Sequence, residues 1–430
     1  MFGKLPLLKK SITSPQNKST SNIIYFDNRI NDEGHLKIVN KYLKIKDNLK
    51  IYIYNYYPDG FTNLTHFIDE TKQNKSYDLK ETYKSWLYFI DFVLHSTMYT
   101  TDPSIADFFI VPQWENLYKG KNYYEDLVRP LKNATESEYY KNTAPKRNHI
   151  FIYISDDTPL SEKRIPVLLR NELKERFIRL SYSGRISGFG KFHNTKQSDS
   201  IFNFDSEHEI VVPPGVPLNC AFIPTLAFKK CERDIFYKGT MNVPNAQLER
   251  KDALNYMNKN FSLTDNPEDS LFGIHCAGYG IWTARFYNYL NMGIIPILFS
   301  DGVIMPFESF FNYKSFSLKV LGSTCDCDDK KLVNYLKYVI NIYRKYSQGK
   351  DIEINIEEKE VYSRIIGLQN NIREISSWFN WKSQDPYKNP FTLIIIELNE
   401  RLNNNYICSE NPIAKEEYYD LNSEKLPLYK

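Results

Sequence analysis

A single thirty-residue stretch, Phe272 to Asp301, holds the residue types that could do chemistry together. It reads FGIHCAGYGIWTARFYNYLNMGIIPILFSD. The loop Gly278-Tyr279-Gly280 lets backbone approach a ligand closely. Thr283 offers a hydroxyl to cap a following helix, and Arg285 falls in that helix's first turn. A helix head has unpaired N–H groups and a partial positive charge, which favour an anion. A guanidinium there adds a two-pronged clamp. The guest such a group takes is a diphosphate. The spacing is not the dinucleotide GxGxxG, and the same pattern serves an ordinary helix–strand unit whose glycines only make turns.

Positioning these groups requires a helix and a strand in close succession. The apolar spacing predicts a helix over 282–292, closed by Gly293 with Pro296 following. Ile294, Ile295, Ile297, Leu298 and Phe299 are nearly all apolar, which suits a strand covered on both faces in a parallel sheet. Asp301 then stands at that strand's carboxyl end.

At 430 residues the chain is long for one domain and sufficient for two, each with its own core. A net charge of +3 gives no electrostatic case for nucleic acid or a membrane surface. The 33 tyrosines would suit a sugar cleft, but Asn, Lys and Ile are abundant with them, so a compositional bias explains them as well. The first twenty residues contain no apolar run of seven, so neither a signal peptide nor a transmembrane anchor is expected and the location expected is cytoplasmic. Six scattered cysteines then read as thiols. Cys325-x-Cys327 and Asp326-Cys-Asp-Asp329 do not have metal-site spacing, so no metal is expected.

Along the chain, 1–23 is polar and expected to be disordered. Leu49 to Pro58 alternates like a strand entering a turn, and Tyr83 to Tyr99 has helical apolar spacing. Asp102-Pro103 starts a helical turn before the apolar run Phe108 to Val111. Lys146 to Asp157 is a further buried strand, and Glu209 to Gly215 runs into prolines that mark a boundary. Strands alternating with helices on both sides of it argue for two doubly wound α/β domains, over 24–215 and 216–402, with a tail over 403–430.

The stretch from Phe272 to Leu318 resembles the signature of the exostosin family, glycosyltransferase family 47. That signature has a Cys-x-x-Pro-x-Gly loop, a Ser-x-Arg helix start, a Gly-Cys-Ile-Pro-Val-Ile strand, an Asp and a Leu-Pro-Phe. Thr100-Thr-Asp-Pro-Ser-Ile-Ala-Asp107 with its following strand and Pro112 is similar to the family's Thr-x-Asp-Pro-x-x-Ala-Asp segment. Further similarity runs through Lys146 to His149, Glu209 to Pro214, Phe236 to Gly239 with Arg250 downstream, and the segment from Asn389, so it covers about Leu49 to Leu402.

The resemblance implies a GT-B fold of two facing Rossmann-like domains with parallel sheets. It implies an inverting, metal-independent glycosyltransferase that moves a sugar from a nucleotide sugar, a UDP-sugar first among donors, to a glycan acceptor. No cofactor is implied. The donor would be held by Lys238, Gly239, Arg250, Gly278, Tyr279, Gly280, Thr283, Arg285, Asn288, Asp301 and Glu308. A base on the first domain's side is sought among His149, Asp156, Asp157 and Asp59, with His149 also readable as structural. Asn288 stands where the family has a Glu, Cys276 where it has Pro, and Ile294 where it has Cys. The neutral Asn288 leaves open a non-catalytic, glycan-binding or transferase-partner role. Family members reach the Golgi, so Golgi association is implied by resemblance alone.

Overall fold

The structure is a computed structural model. It describes residues 32–56, 63–73, 84–112, 123–143, 148–153, 165–182, 205, 207–215, 234–237, 248–266, 270–276, 283–299, 303–320, 330–347 and 355–403.

The first half opens with helix α1 (Asp32–Ile45) and strand β1 (Ile51–Ile53), then α2 (Leu64–Gln73), α3 (Ser85–Leu94) and β2 (Tyr99–Thr100). There follow β3 (Phe108–Val111), α4 (Tyr123–Glu136), α5 (Glu138–Thr143), β4 (His149–Ile152), α6 (Val167–Arg176), β5 (Phe177–Ser181) and β6 (Glu209–Val211). The second half holds β7 (Ile235–Phe236), α7 (Leu248–Asn260), β8 (Leu263–Thr264), β9 (Phe272–Cys276), α8 (Arg285–Met292), β10 (Ile295–Phe299) and β11 (Leu318–Val320). Helices α9 (Lys330–Ser347), α10 (Ile356–Ile375) and α11 (Pro390–Leu402) complete it.

The strands form two wholly parallel sheets, in the orders β2-β1-β3-β4-β5-β6 and β8-β7-β9-β10-β11. This is the expected α/β architecture of two Rossmann-like units. Counted within each half, both run second, first, third, fourth, fifth, and the first sheet adds its sixth strand beyond these. Each sheet therefore reverses direction between its first and third strands, β1/β3 and β7/β9. Open parallel sheets bind ligands outside the carboxyl ends at such a reversal.

Local sequence accounts for the elements. The Phe108–Val111 and Ile295–Phe299 runs are buried at every position, as strands under helices on both faces must be. Asp102 accepts the Ser104 N–H at 2.9 Å and Pro103 takes the first position of a 3₁₀ turn, so the Asp-Pro pair starts a helical turn as expected. Helix α11 starts the same way, with Asn389 accepting the Thr392 N–H at 3.1 Å ahead of Pro390. Helix α1 was not anticipated. Ile38, Val39, Tyr42 and Ile45 recur at helical spacing, and the helix is held by packing of Tyr42 and Ile45 into the core.

The last helix returns to the first half. Phe391 packs against Tyr42, Phe89 and Phe92, the last ring stacked at 5.1 Å and 15°. Arg401 donates to the carbonyls of Glu207 and Glu209 at 2.6 and 2.9 Å, and Lys41 pairs with Glu400. Just before α11, the Trp381 indole N–H donates to the Pro213 carbonyl at 2.8 Å. The chain thus passes from the first sheet after β6 to the second at β7, and α11 returns to the first half. Among the described residues, no helix is long and apolar enough to cross a membrane.

Candidate donor site at the head of helix α8

The β9–α8–β10 unit is the predicted helix–strand succession. Helix α8 begins at Arg285 rather than at residue 282, because Ala284 is its N-terminal boundary residue and Thr283 stands one place earlier. The Thr283 hydroxyl oxygen still accepts the Arg285 N–H at 3.3 Å, so it serves the helix head from outside. Gly293 closes the helix in the left-handed region at φ 65°, which costs glycine nothing and a residue with Cβ about 1 kcal/mol.

In a β–α–β unit the helix runs back along the sheet, so its head lies beyond the carboxyl end of β9. Here that head lies at the β7/β9 reversal. The Arg285 guanidinium sits 4.6 Å from the ring centre of Tyr237, the residue directly after β7. Tyr237 is buried, so the stack holds the cation over the crevice between the two strands. An anion there would meet the head of α8 and a fixed guanidinium together.

Asn288 lies three residues along α8, on the same side as Arg285. Its Oδ1 is enclosed and has no hydrogen-bond partner among the described residues. As an amide it can accept from, and donate to, a diol, without the charge a carboxylate would bring.

Glu308 belongs to the connection from β10 to β11. Its Oε1 accepts the Met305 N–H at 3.0 Å, which fixes the carboxylate against the turn. The preceding Phe307 has φ 60°, a costly conformation for a side chain of that size. It is held by Phe310 and Phe379, at 6.4 and 6.0 Å, and by the Tyr313 hydroxyl donating to the Pro306 carbonyl at 2.7 Å.

The second sheet contains a residue that sequence reasoning passed over, His275. It is 2% exposed on β9, its ring centroid 5.5 Å from that of Phe286 of α8 in an edge-to-face contact, and neither ring nitrogen has a hydrogen-bond partner among the described residues. Burial, reinforced by the Arg285 charge, depresses its pKa to about 3, so it is neutral. The signal was available, since His275 is the one polar side chain in Phe272–Cys276.

His149 has a different setting from that of a catalytic base. It is fully enclosed at the amino end of β4, opposite to the end where ligands bind in a parallel sheet. Its ring stacks on Phe109 at 4.7 Å and 5°, with Tyr140 and Phe177 edge-on at 4.9 and 5.8 Å. Nδ1 is 3.1 Å from Asn148 Oδ1 and Nε2 is 3.0 Å from the Tyr54 hydroxyl, so the proton belongs on Nδ1 and Nε2 accepts. Burial lowers its pKa to about 3. Both nitrogens are occupied and, among the described residues, the ring is fully enclosed, which is a structural setting.

Lys238, Gly239, Gly278, Tyr279, Gly280, Asp301, Asp156, Asp157 and Asp59 lie outside the described residues. Arg250 falls on α7 as expected, but its side chain is likewise outside them. Of the expected donor set, the described structure therefore assembles Thr283, Arg285 and Asn288 on one helix head, with Glu308 fixed on the next connection.

No protein-family model matches the chain. The chain is similar to a protein of Oryza sativa subsp. japonica named probable glucuronosyltransferase GUT1. The two are 22% identical over 314 residues, covering 64% of this chain and 69% of the rice protein. Together with the two parallel α/β sheets, this distant similarity supports a glycosyltransferase.

Proposed function

We propose that the protein is an inverting, metal-independent, exostosin-like glycosyltransferase that moves a sugar from a UDP-sugar to a glycan acceptor, with the donor diphosphate at the head of α8. The observation that carries the reading is the Arg285 guanidinium over Tyr237, at the reversal between β7 and β9 and at a helix head. In this reaction the base removes the acceptor hydroxyl proton and the oxygen attacks the anomeric carbon. The bond to the diphosphate then breaks, and its electron pair leaves with the nucleotide. Negative charge grows on that leaving group, so groups already aimed at it lower the barrier more than they stabilise the ground state. Arg285 and the α8 head are such groups, with Arg250 and Lys238 as further cations. Asn288 and Glu308 are assigned to the nucleoside hydroxyls. The base is assigned to Asp156 or Asp157, which follow β4 in the chain.

The second reading is a non-catalytic glycan-binding or partner protein, favoured by the neutral Asn288. One experiment separates the two. Thermal unfolding is followed with a panel of nucleoside diphosphates and nucleotide sugars, for the wild type and for Arg285→Ala. A ligand that binds only the native state raises the midpoint. The donor reading expects a rise with UDP or one UDP-sugar that is lost in Arg285→Ala. No rise with any nucleotide at millimolar concentration overturns it in favour of the second reading.

A further inference from the structure

Strand β9 divides its side chains between two faces. Phe272, Ile274 and Cys276 join the large apolar core, while Gly273 and His275 alternate with them and meet α8. A Cβ on Gly273 would lie 2.9 Å from the Tyr289 ring, so the second turn of α8 covers Gly273. His275 is two residues further toward the carboxyl end, about 6.6 Å along a strand. Arg285 and Phe286 are about one helix turn, roughly 5.4 Å, nearer the helix head than Tyr289. The two advances match, and they put the His275 imidazole beneath the first turn of α8, as its contact with Phe286 confirms.

A buried polar side chain with neither nitrogen paired is costly, commonly about 1–3 kcal/mol, and such groups call for a partner that is a ligand or water. The apolar residues around it supply none. Leu298 faces His275 in the neighbouring strand, and Phe286 covers its edge. The Arg285 charge, which lowers the His275 pKa, also stands at the proposed anion position. We infer that His275 is a donor-binding residue, whose neutral imidazole donates a ring N–H to the diphosphate held at the head of α8. The inference rests on the donor reading and adds to it a ligand contact from the sheet, beneath the contacts from the helix.

The test pairs affinity with stability. UDP is titrated calorimetrically into the wild type, His275→Leu, His275→Gln and Arg285→Ala, and thermal unfolding of each is followed without nucleotide. Losing a hydrogen bond to a charged group is expected to weaken UDP binding about tenfold or more in His275→Leu. Its unliganded midpoint should stay level or rise, because an unpaired buried polar group has gone. His275→Gln, which keeps a donor, should recover part of the affinity. A merely structural histidine would not move affinity and stability in opposite directions. The ring-nitrogen resonance of His275 in the ¹⁵N-labelled wild type should also shift when UDP saturates the protein, which tests the contact without a variant. UDP binding by the wild type with unchanged affinity in His275→Leu and an unmoved resonance overturns this inference alone. No UDP binding by the wild type overturns the donor reading and this inference with it.

Discussion

At the scale of the residue, two histidines with the same depressed pKa have different surroundings. His149 is surrounded by aromatic rings and bonded at both nitrogens, while His275 is enclosed without partners. Both are held near 3, below the ordinary 6.5, mainly by burial. The folded chain therefore binds fewer protons than the unfolded one between those values. The stability contributed is full above about pH 6.5 and is lost as pH falls toward 3. At pH 5 each histidine is expected to cost about 2 kcal/mol relative to neutral pH. His149→Phe should flatten the fall in urea-unfolding free energy between pH 7 and pH 5 by about that amount, although it loses the Tyr54 hydrogen bond at every pH. An unchanged slope would mean that His149 is protonated in the fold. Sequence could name His149 as titratable, but its burial depends on Phe109, Tyr140 and Phe177, which come from three other elements. Arg285 was legible as a clamp from its place in the helix start, whereas its seat on Tyr237, 48 residues earlier by numbering, was not.

At the scale of the element, the proposed donor site depends on how closely α8 lies on β9. Gly273 makes that approach possible. A methyl group there would press on Ile294 Cγ2 and on the Tyr289 ring, each at 2.9 Å, and Tyr289 is tethered by its hydroxyl donating to the Ile274 carbonyl at 2.7 Å. Gly273→Ala is expected to cost about 1–3 kcal/mol in urea unfolding and to weaken UDP binding by tilting α8, though residue 273 touches no ligand. Gly367→Ala is the control. It lies inside α10 with nothing within 4 Å of the added carbon, and it should stabilise by about 0.5–1 kcal/mol with UDP affinity unchanged. If Gly273→Ala behaved like this control, the close packing of α8 on β9 would not be what positions Arg285. Most of this element was readable in advance, because the apolar run over 295–299, the Gly293 stop and the helical spacing are local properties. The helix start was misplaced by three residues, since Thr283 supports the head from outside the helix.

At the scale of the molecule, the second half is tied to the first by the return of α11. Ser309, on the connection between β10 and β11, donates to the Glu397 carboxylate at 3.0 Å. Arg401, one turn along, reaches the Glu207 and Glu209 carbonyls. Burial raises the Glu397 pKa from 4.5 to about 6. A raised carboxyl means that the fold prefers the protonated form. The contribution is fully present below about pH 4.5 and is lost as pH climbs through 6. Glu397→Gln keeps an acceptor for Ser309 and should raise unfolding free energy by about 2 kcal/mol at pH 7.5, with little effect at pH 4.5. Arg401 retains its two carbonyl partners in that variant. A loss of stability at pH 7.5 would instead make the Glu397–Arg401 attraction, at 3.9 Å, the larger effect.

By itself the sequence determined the class of the fold and, to within three residues, the place of the helix head. Apolar runs must be buried, and the caps at Asp102, Asn389 and Gly293 act within a few residues of themselves. Only the tertiary structure decided what meets at that head. The strand order brings β7 beside β9, so that Tyr237 supports Arg285 and His275 is enclosed beneath them. It likewise enclosed His149 at the wrong end of its sheet for catalysis, and it took α11 back to the first half. Burial and strand order depend on residues far apart in the chain, which local spacing cannot encode.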